Sequence, residues 1–441
     1  HGSNGEGNRR TIFDQNRSGN VDVMAPVGAI RLQGYNEPVG GSVSAWQYSE
    51  VQIGHGGSYS QAPTSGGSFL LPDTTAVTGT PDTSASGNIN VFAGGTYQDS
   101  RYDRATDVGT QLGISVQASG NFVSYGMIGH GGTNQRGNTN TGYQGNISVV
   151  ADQGDLMFAG GTDRVSERSW GYGRNHVQIG HGGYDVDGAK GGLITATAGQ
   201  GAGATDGDIL FYAGKHRDSH AQIGHGGNSS GGAYNSALNA ADITVTALGD
   251  VRFESGASGT TDLLTTNEAV ANRWFNEVAA NRDRDAGNFI DDRYLMIGHG
   301  GYNADGVQTA AQNITVTAGT GDLMNDDGDL LTGGITFIAG DGERNFAQIG
   351  HGGHSNGAND ANGFAGDIVI TANGGGVVFD GSIEGKETYD RSNNNRSIDG
   401  VANAVRTVQV RERGWESYVQ IGSGGYGARG DHSGNITINS H

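Results

Sequence analysis

The 441-residue chain contains no cysteine, so disulfide staples, thiolate metal sites and a cysteine nucleophile are excluded. Proline is scarce. All five, Pro26, Pro38, Pro63, Pro72 and Pro81, fall early, and no later proline removes a donor from a hydrogen-bonded ladder. No apolar run reaches the roughly 18 residues that a membrane-spanning helix needs. Positive charge is thin, 26 Lys and Arg against 46 Asp and Glu, and the net charge of −20 repels phosphate backbones and anionic membrane surfaces. These deficits set aside nucleic acid as a partner and argue against a membrane span. Packing and hydrogen bonds are left to hold the fold.

What the chain has in excess is glycine, 82 residues, without the Gly-X-Y period of collagen. Much of it sits in one repeated pentapeptide. Ile-Gly-His-Gly-Gly begins at Ile53, Ile128, Ile179, Ile223, Ile297 and Ile349, with the variant Ile421-Gly422-Ser423-Gly424-Gly425 near the end. The opening His1-Gly2-Ser3 reads as the tail of one more copy, which gives the expectation that the chain is a piece of something longer. Copies recur at intervals of 44 to 75 residues, so the punctuation is strict while the spacing is loose.

Two strand-like motifs lie inside the intervals. One alternates β-branched and polar residues, as in Asn20-Val21-Asp22-Val23, Asn146-Ile147-Ser148-Val149, Asp242-Ile243-Thr244-Val245 and Asn435-Ile436-Thr437-Ile438. The other follows a glycine a few residues later, as in Asp155-Leu156-Met157-Phe158, Asp208-Ile209-Leu210-Phe211 and Asp250-Val251-Arg252-Phe253. Asn88 to Phe92 reads as a second motif too. That leaves the interval between His55 and His130 without a clear first one unless Ser68-Phe69-Leu70 serves.

Three short strands per interval, in constant order, predict an all-β fold: a parallel β-solenoid of about eight three-strand rungs. At the strand spacing of about 4.8 Å this is a column of roughly 35 to 40 Å. The whole of 1–441 reads as one solenoid segment, with insertions at about 96–125, 256–293 and 380–417. The second insertion carries a capping-box pattern, Thr265-Thr266-Asn267-Glu268, then Val270, Trp274 and Val278 at four-residue spacing, which predicts one amphipathic helix.

The histidines of the pentapeptide, His55, His130, His181, His225, His299 and His351, are the most specific signal. Alternation places each on the same face as the preceding isoleucine. A ladder of buried imidazoles, each bonded to a backbone carbonyl, is therefore favoured over a metal column, because identical rings about 4.8 Å apart diverge from any single centre. The position before the isoleucine is Gln52, Gln178, Gln222, Gln348 or Gln420, with Met127 and Met296 in the other two copies, and stacked amides are expected to bond to one another along the column. His176, His216, His220, His354, His432 and His441 share no evident register and read as loop residues.

Catalytic, cofactor-binding and metal residues are assigned to none of these positions. Calcium is the one ion the composition raises, through Asp185-Val186-Asp187-Gly188, Asn325-Asp326-Asp327-Gly328-Asp329 and Asp341-Gly342-Glu343. None of the three matches a known calcium-loop pattern, and solvated turns are the favoured reading. No nucleophile elbow, phosphate loop or zinc-protease motif appears, and the distinctive polar residues recur in every interval, as architectural residues do.

The Gly434-Asn435-Ile436-Thr437-Ile438 and Gly207-Asp208-Ile209-Leu210-Phe211 signatures, the missing cysteine, the acidic Gly/Asn/Asp/Thr composition and the open repeat at the start resemble the β-helical shafts of filamentous-haemagglutinin-like and autotransporter-passenger proteins. The resemblance implies an extracellular, bacterial cell-surface location, a shaft or adhesive-filament role and no catalysis. The expected partners are copies of the chain, or the rest of a longer one, joined end to end, with surface polysaccharide as a further partner. The alternative is a carbohydrate-active β-helix enzyme or polysaccharide-binding protein working from an insertion near Trp170, Trp274 or Trp415.

Overall fold

Five-residue stretches such as Ile243-Thr244-Val245-Thr246-Ala247 suit a pleated strand with one face buried, since β-branched side chains pack well there and successive residues point to opposite sides. In the computed structural model of the protein they form a continuous parallel β-solenoid. It describes residues 17–34, 48–58, 84–98, 111–118, 123–136, 142–160, 174–205, 207–213, 218–234, 241–255, 293–304, 306–308, 310–320, 333–339, 344–355, 363–374, 376–380 and 418–440.

Three long sheets carry the coil. The first stacks eight strands in chain order, Val21–Ala25, Ile89–Ala93, Ile147–Ala151, Ile194–Ala198, Ile243–Ala247, Ile314–Ala318, Ile368–Ala372 and Ile436–Ser440. The second runs from Ile30–Gln33 through Gln111–Gln117, Asp155–Ala159, Ile209–Ala213, Val251–Ser255 and Ile335–Ile338 to Val377–Asp380. The third holds the strands that lead into the pentapeptide glycines: Tyr48–Ile53, Val123–Ile128, Arg174–Ile179, His220–Ile223, Tyr294–Ile297, Phe346–Ile349 and Tyr418–Ile421. Pairing keeps equivalent residues together, for example Ile194 with Ile147 and Ile243, and Ile179 with Ile128 and Ile223. Register is fixed because a one-residue slip would turn every inward isoleucine to water.

Inward residues of all three sheets form one apolar core. Ile53, Val177, Ile179, Ile209, Phe211, Ile243, Val245, Ile314 and Val316 belong to it, while Val51, in an end turn, is half-buried. Phe158, Phe211, Phe253, Phe337 and Phe379 stack through it with ring centroids 4.6 to 4.9 Å apart.

The structure departs from the sequence reading in two places. Ile89–Ala93 pairs with Val21–Ala25 and Ile147–Ala151, so it is a first-sheet strand, and the second-sheet strand of that turn is Gln111–Gln117, inside the stretch read as an insertion. Several turns also carry short strands beyond the three expected. One ladder follows the glycine corner (Gly56–Ser58, Gly131–Arg136, Gly182–Asp187), and another precedes the first sheet, with members such as Ala85–Ser86, Tyr143–Gln144 and Lys190–Gly191. The first ladder opens each strand on two glycines, and the strands of the second have only two or three residues, so neither shows the alternation that marks the long sheets. Every regular element among the described residues is a strand. The helix expected in 256–293, Ser68 to Leu70 and the tryptophans of the three candidate sites lie outside the described residues.

Candidate functional site: the histidine corner

The third sheet ends at isoleucine, and the chain then turns sharply through Gly-His-Gly-Gly. At Gly180 and Gly182 φ is +152° and +124°, and a Cβ on either would lie 1.9 or 2.0 Å from the carbonyl oxygen of Gly224 or Gly226 in the next turn. Only glycine fits where backbones stack this closely in that conformation. The glycine before the histidine is thus as constrained as the pair after it.

The six pentapeptide histidines form one stacked column with ring centroids 4.8 to 5.0 Å apart and planes within 12°. Two hydrogen bonds fix each interior ring. The backbone N–H of His55 donates to Nδ1 of His130 (3.0 Å), and the same bond joins His130 to His181 (3.0 Å), His181 to His225 (3.0 Å), His225 to His299 (2.9 Å) and His299 to His351 (3.1 Å). On the other side Nε2 donates to the carbonyl of Gly19 (3.1 Å), Gly87 (2.9 Å), Gly145 (2.8 Å), Gly192 (2.8 Å), Ala241 (2.6 Å) and Gln312 (2.8 Å) for the six in order.

A backbone N–H can only donate and a carbonyl can only accept, so the tautomer is determined: Nδ1 keeps its lone pair and Nε2 carries the proton. The ring is neutral. Burial pushes His130 and His351 down to about 4, and holds His181, His225 and His299 well below the ordinary imidazole value. Neighbouring imidazoles reinforce the depression at His130, His181, His225 and His299. A metal would need a lone pair, and the Nδ1 lone pairs from His130 to His351 are each engaged by a backbone N–H. The column begins at His55, whose Nδ1 has no partner among the described residues, and gives way to Ser423 at the last turn.

The glutamines do something other than bond to one another. Nε2 of Gln178 donates to the carbonyls of Gly224 (2.9 Å) and Gly226 (3.3 Å), and Gln52, Gln222 and Gln348 likewise reach corner glycines one turn on. Gln420 bonds Gly422 and Ser423 of its own turn. The corner brings glycine carbonyls within reach of the amide N–H, among them those of Gly226, Gly300 and Gly424, which also accept a backbone N–H. Tyrosine hydroxyls complete the set, with Tyr125 donating to Gln52 (3.3 Å) and Tyr294 to Gln222 (3.2 Å).

His176 and His220 are not loop residues. Both sit three positions before the isoleucine, buried and in register with Tyr125 and Tyr294, and the rings of Tyr125, His176, His220, Tyr294, Phe346 and Tyr418 stack 4.6 to 5.1 Å apart. The shared property is aromaticity, which a search for identical residues passes over. His354 stacks between Tyr302 and Tyr426 in a further column, and His432 lies against Phe364. His216 and His441 lie outside the described residues.

Sequence reasoning also missed two Asx ladders. Before the first sheet, Oδ1 of Asn20 accepts from the backbone N–H of Asn88 (3.0 Å), Asn88 from Asn146 (3.0 Å), Asp242 from Asn313 (2.7 Å), Asn313 from Asp367 (3.0 Å) and Asp367 from Asn435 (2.8 Å). Before the second sheet, Asp155, Asp208 and Asp250 repeat the bond at 2.7 to 2.8 Å. The signal was present, an Asn or Asp opening most strand motifs. Lys190, fully buried, donates to the carbonyls of Val186 (2.9 Å), Gly188 (3.0 Å) and Gly231 (2.7 Å), and burial lowers it to about 7.

Of the acidic stretches, Asp185 to Gly188 is the one described. It is not a solvated turn: Asp185 to Asp187 lie in the Gly182–Asp187 strand, Val186 is buried, and Asp185 bends the strand with φ of +51°. Among the described residues no group of three or more His, Asp or Glu is placed to hold a metal ion. Chemically, the corner is a repeated, neutral hydrogen-bond clamp that ties each turn to the next. No protein-family model, curated protein or solved structure matches the chain.

Proposed function

We propose that the chain is a structural shaft segment of an extracellular, bacterial cell-surface filament, and that its turns serve to hold length and stiffness rather than to turn over a substrate. The observation that carries this reading is the clamp: five successive backbone-to-imidazole bonds, repeated at the same corner, tie the six turns from His55 to His351 each to its neighbour. Such one-dimensional stacking makes stability a sum of neighbouring interfaces, which suits a part that must be long. The last strand, Ile436–Ser440, pairs on one side with Ile368–Ala372, and its inward Ile436 and Ile438 are 50% and 48% exposed where their counterparts in the six strands from Ile89–Ala93 to Ile368–Ala372 are buried. A further turn would fit there, supplied by the same chain or by another copy. Adhesion belongs to this reading as a property of the insertions. Negative-stain electron microscopy of the purified chain tests it. Rods whose length grows with concentration, or rods of fixed length that extend when further sequence is added, support it; compact particles that do neither, or degradation of a polysaccharide by the same preparation, overturn it.

A further inference from the structure

The outward face of the first sheet has a pattern that neither the clamp nor a shaft requires. Its strands present two outward side chains each, and register aligns them in two columns: Ser148, Thr195, Thr244, Thr315, Val369 and Thr437 in one, Val150, Thr197, Thr246, Thr317, Thr371 and Asn439 in the other. Three consecutive turns are threonine in both columns. Their side chains are half-exposed, and the six hydroxyls of Thr195, Thr197, Thr244, Thr246, Thr315 and Thr317 make no hydrogen bond within the protein among the described residues. No charge falls in either column from Asn90 to Asn439, in a chain of net charge −20. Acidic groups stay at the border, Asp22 at one end and Asp242 and Asp367 in the neighbouring Asx ladder.

Threonine is a good strand former, and scattered outward threonines need no further explanation. A two-dimensional grid of them is different. Rows are about 4.8 Å apart across the sheet and columns about 6.6 to 6.8 Å apart along the strand. Ladders of like side chains also keep a long sheet flat. Each grid point offers a methyl group and a free hydroxyl, so what complements the face is a neutral, hydrogen-bonding solid with a similar period. Tetrahedral water bonded at about 2.75 Å repeats about every 4.5 Å in one direction and, at eight-thirds of a bond length, about every 7.3 Å perpendicular to it. The two grids agree within about a tenth over several rows. A crystalline polysaccharide fits less well, because sugar faces are gripped by aromatic platforms and the rows from Ser148 to Asn439 present none.

We infer that the threonine face of the first sheet binds the surface of ice. Neutral hydroxyls anchor an ordered water layer, and the methyl groups between them favour its exclusion from bulk solvent. The test is nanolitre osmometry with ice-crystal microscopy on the 441-residue chain and on Thr246→Tyr, a substitution that keeps strand propensity but stands proud of the grid centre. The native chain should separate its freezing and melting temperatures and facet the crystals, and Thr246→Tyr should abolish the gap while retaining its circular dichroism and cooperative melt. Arg31→Ser, on the exposed side of the second sheet, should leave the gap unchanged. Absence of a gap in the native chain overturns the inference. So does a gap that survives Thr246→Tyr, or retention by crystalline cellulose or chitin in place of ice. If Thr246→Tyr fails to fold, Thr246→Val keeps the shape, removes the hydroxyl and should narrow the gap, an unchanged gap again counting against the inference.

Discussion

Two columns run through this solenoid at nearly the same spacing and are held together by different physics. The phenylalanines Phe158, Phe211, Phe253, Phe337 and Phe379 stack at 4.6 to 4.9 Å, and the corner histidines at 4.8 to 5.0 Å. The phenylalanine column accepts Val116 and Leu32 in register at its end, because buried area is non-directional and any apolar side chain of suitable size contributes. Across the six turns from His55 to His351 the histidine column admits no substitute. Each interior ring must accept from one backbone N–H and donate to one carbonyl, and among side chains of that shape imidazole alone does both while neutral. Repetition in a solenoid therefore has two origins, and sequence identity along a column distinguishes them.

The largest expected effect comes from acid. The interior imidazoles are depressed in the folded state by burial, so the unfolded chain takes up protons first. Their stabilisation is fully present above the unfolded value of about 6.5, and is lost as pH falls from there toward the folded values, about 4 at His130 and His351. Each group removes up to about 1.4 kcal/mol per pH unit across that window. Buried His176, lowered to about 3, and His220 add to it, Lys190 opposes protonation of His181 and His225, and Asp242 partly offsets the depression at His351. Urea unfolding followed by circular dichroism at pH 7, 6 and 5 should show the midpoint falling steeply. A midpoint that holds constant to pH 5 would mean that the phenylalanine column, and not the corner, sets stability.

Next in size is Gly180→Ala, whose methyl would overlap the Gly224 carbonyl at 1.9 Å in a backbone conformation that alanine avoids. A loss of at least about 4 kcal/mol is expected. Gly203→Ala is the control, with φ of +78° but nothing within 4 Å, and should cost about 1 to 2 kcal/mol. Equal losses would show that backbone angle alone, and not close stacking, demands glycine at the corner.

How much of this was legible beforehand follows the same division. The pentapeptide and the Ile-x-Val alternation announced the coil, since both repeat residue for residue. Asn88 to Phe92 belongs to the first sheet although it follows a glycine as the second-sheet strands do; its opening residue carries the sign, since Asn88 begins its strand as Asn20 and Asn146 do. His176 and His220 were invisible because their column conserves a ring and not a residue. The glutamine bonds depend on where glycine carbonyls point after the turn, which no one-dimensional pattern encodes.

The smallest expected difference between paired variants sharpens the comparison most. Phe211→Leu nearly conserves apolar volume and should cost no more than about 1.5 kcal/mol. His225→Leu is similar in size but leaves the His181 N–H and the Gly192 carbonyl without partners, about 1 to 3 kcal/mol each. Thermal unfolding of the two variants should therefore differ by several degrees in favour of Phe211→Leu. The reverse order would place the corner among ordinary packing contacts.

The most direct measurement is the protonation of the imidazoles themselves, by long-range nitrogen–proton correlation on protein labelled with nitrogen-15 at histidine. For His130, His181, His225, His299 and His351 the clamp requires a neutral ring with the proton on Nε2 and a bare Nδ1, unchanged between pH 7.5 and 5.5. Rings that titrate near 6.5, carry the proton on Nδ1, or shift on addition of zinc would contradict it.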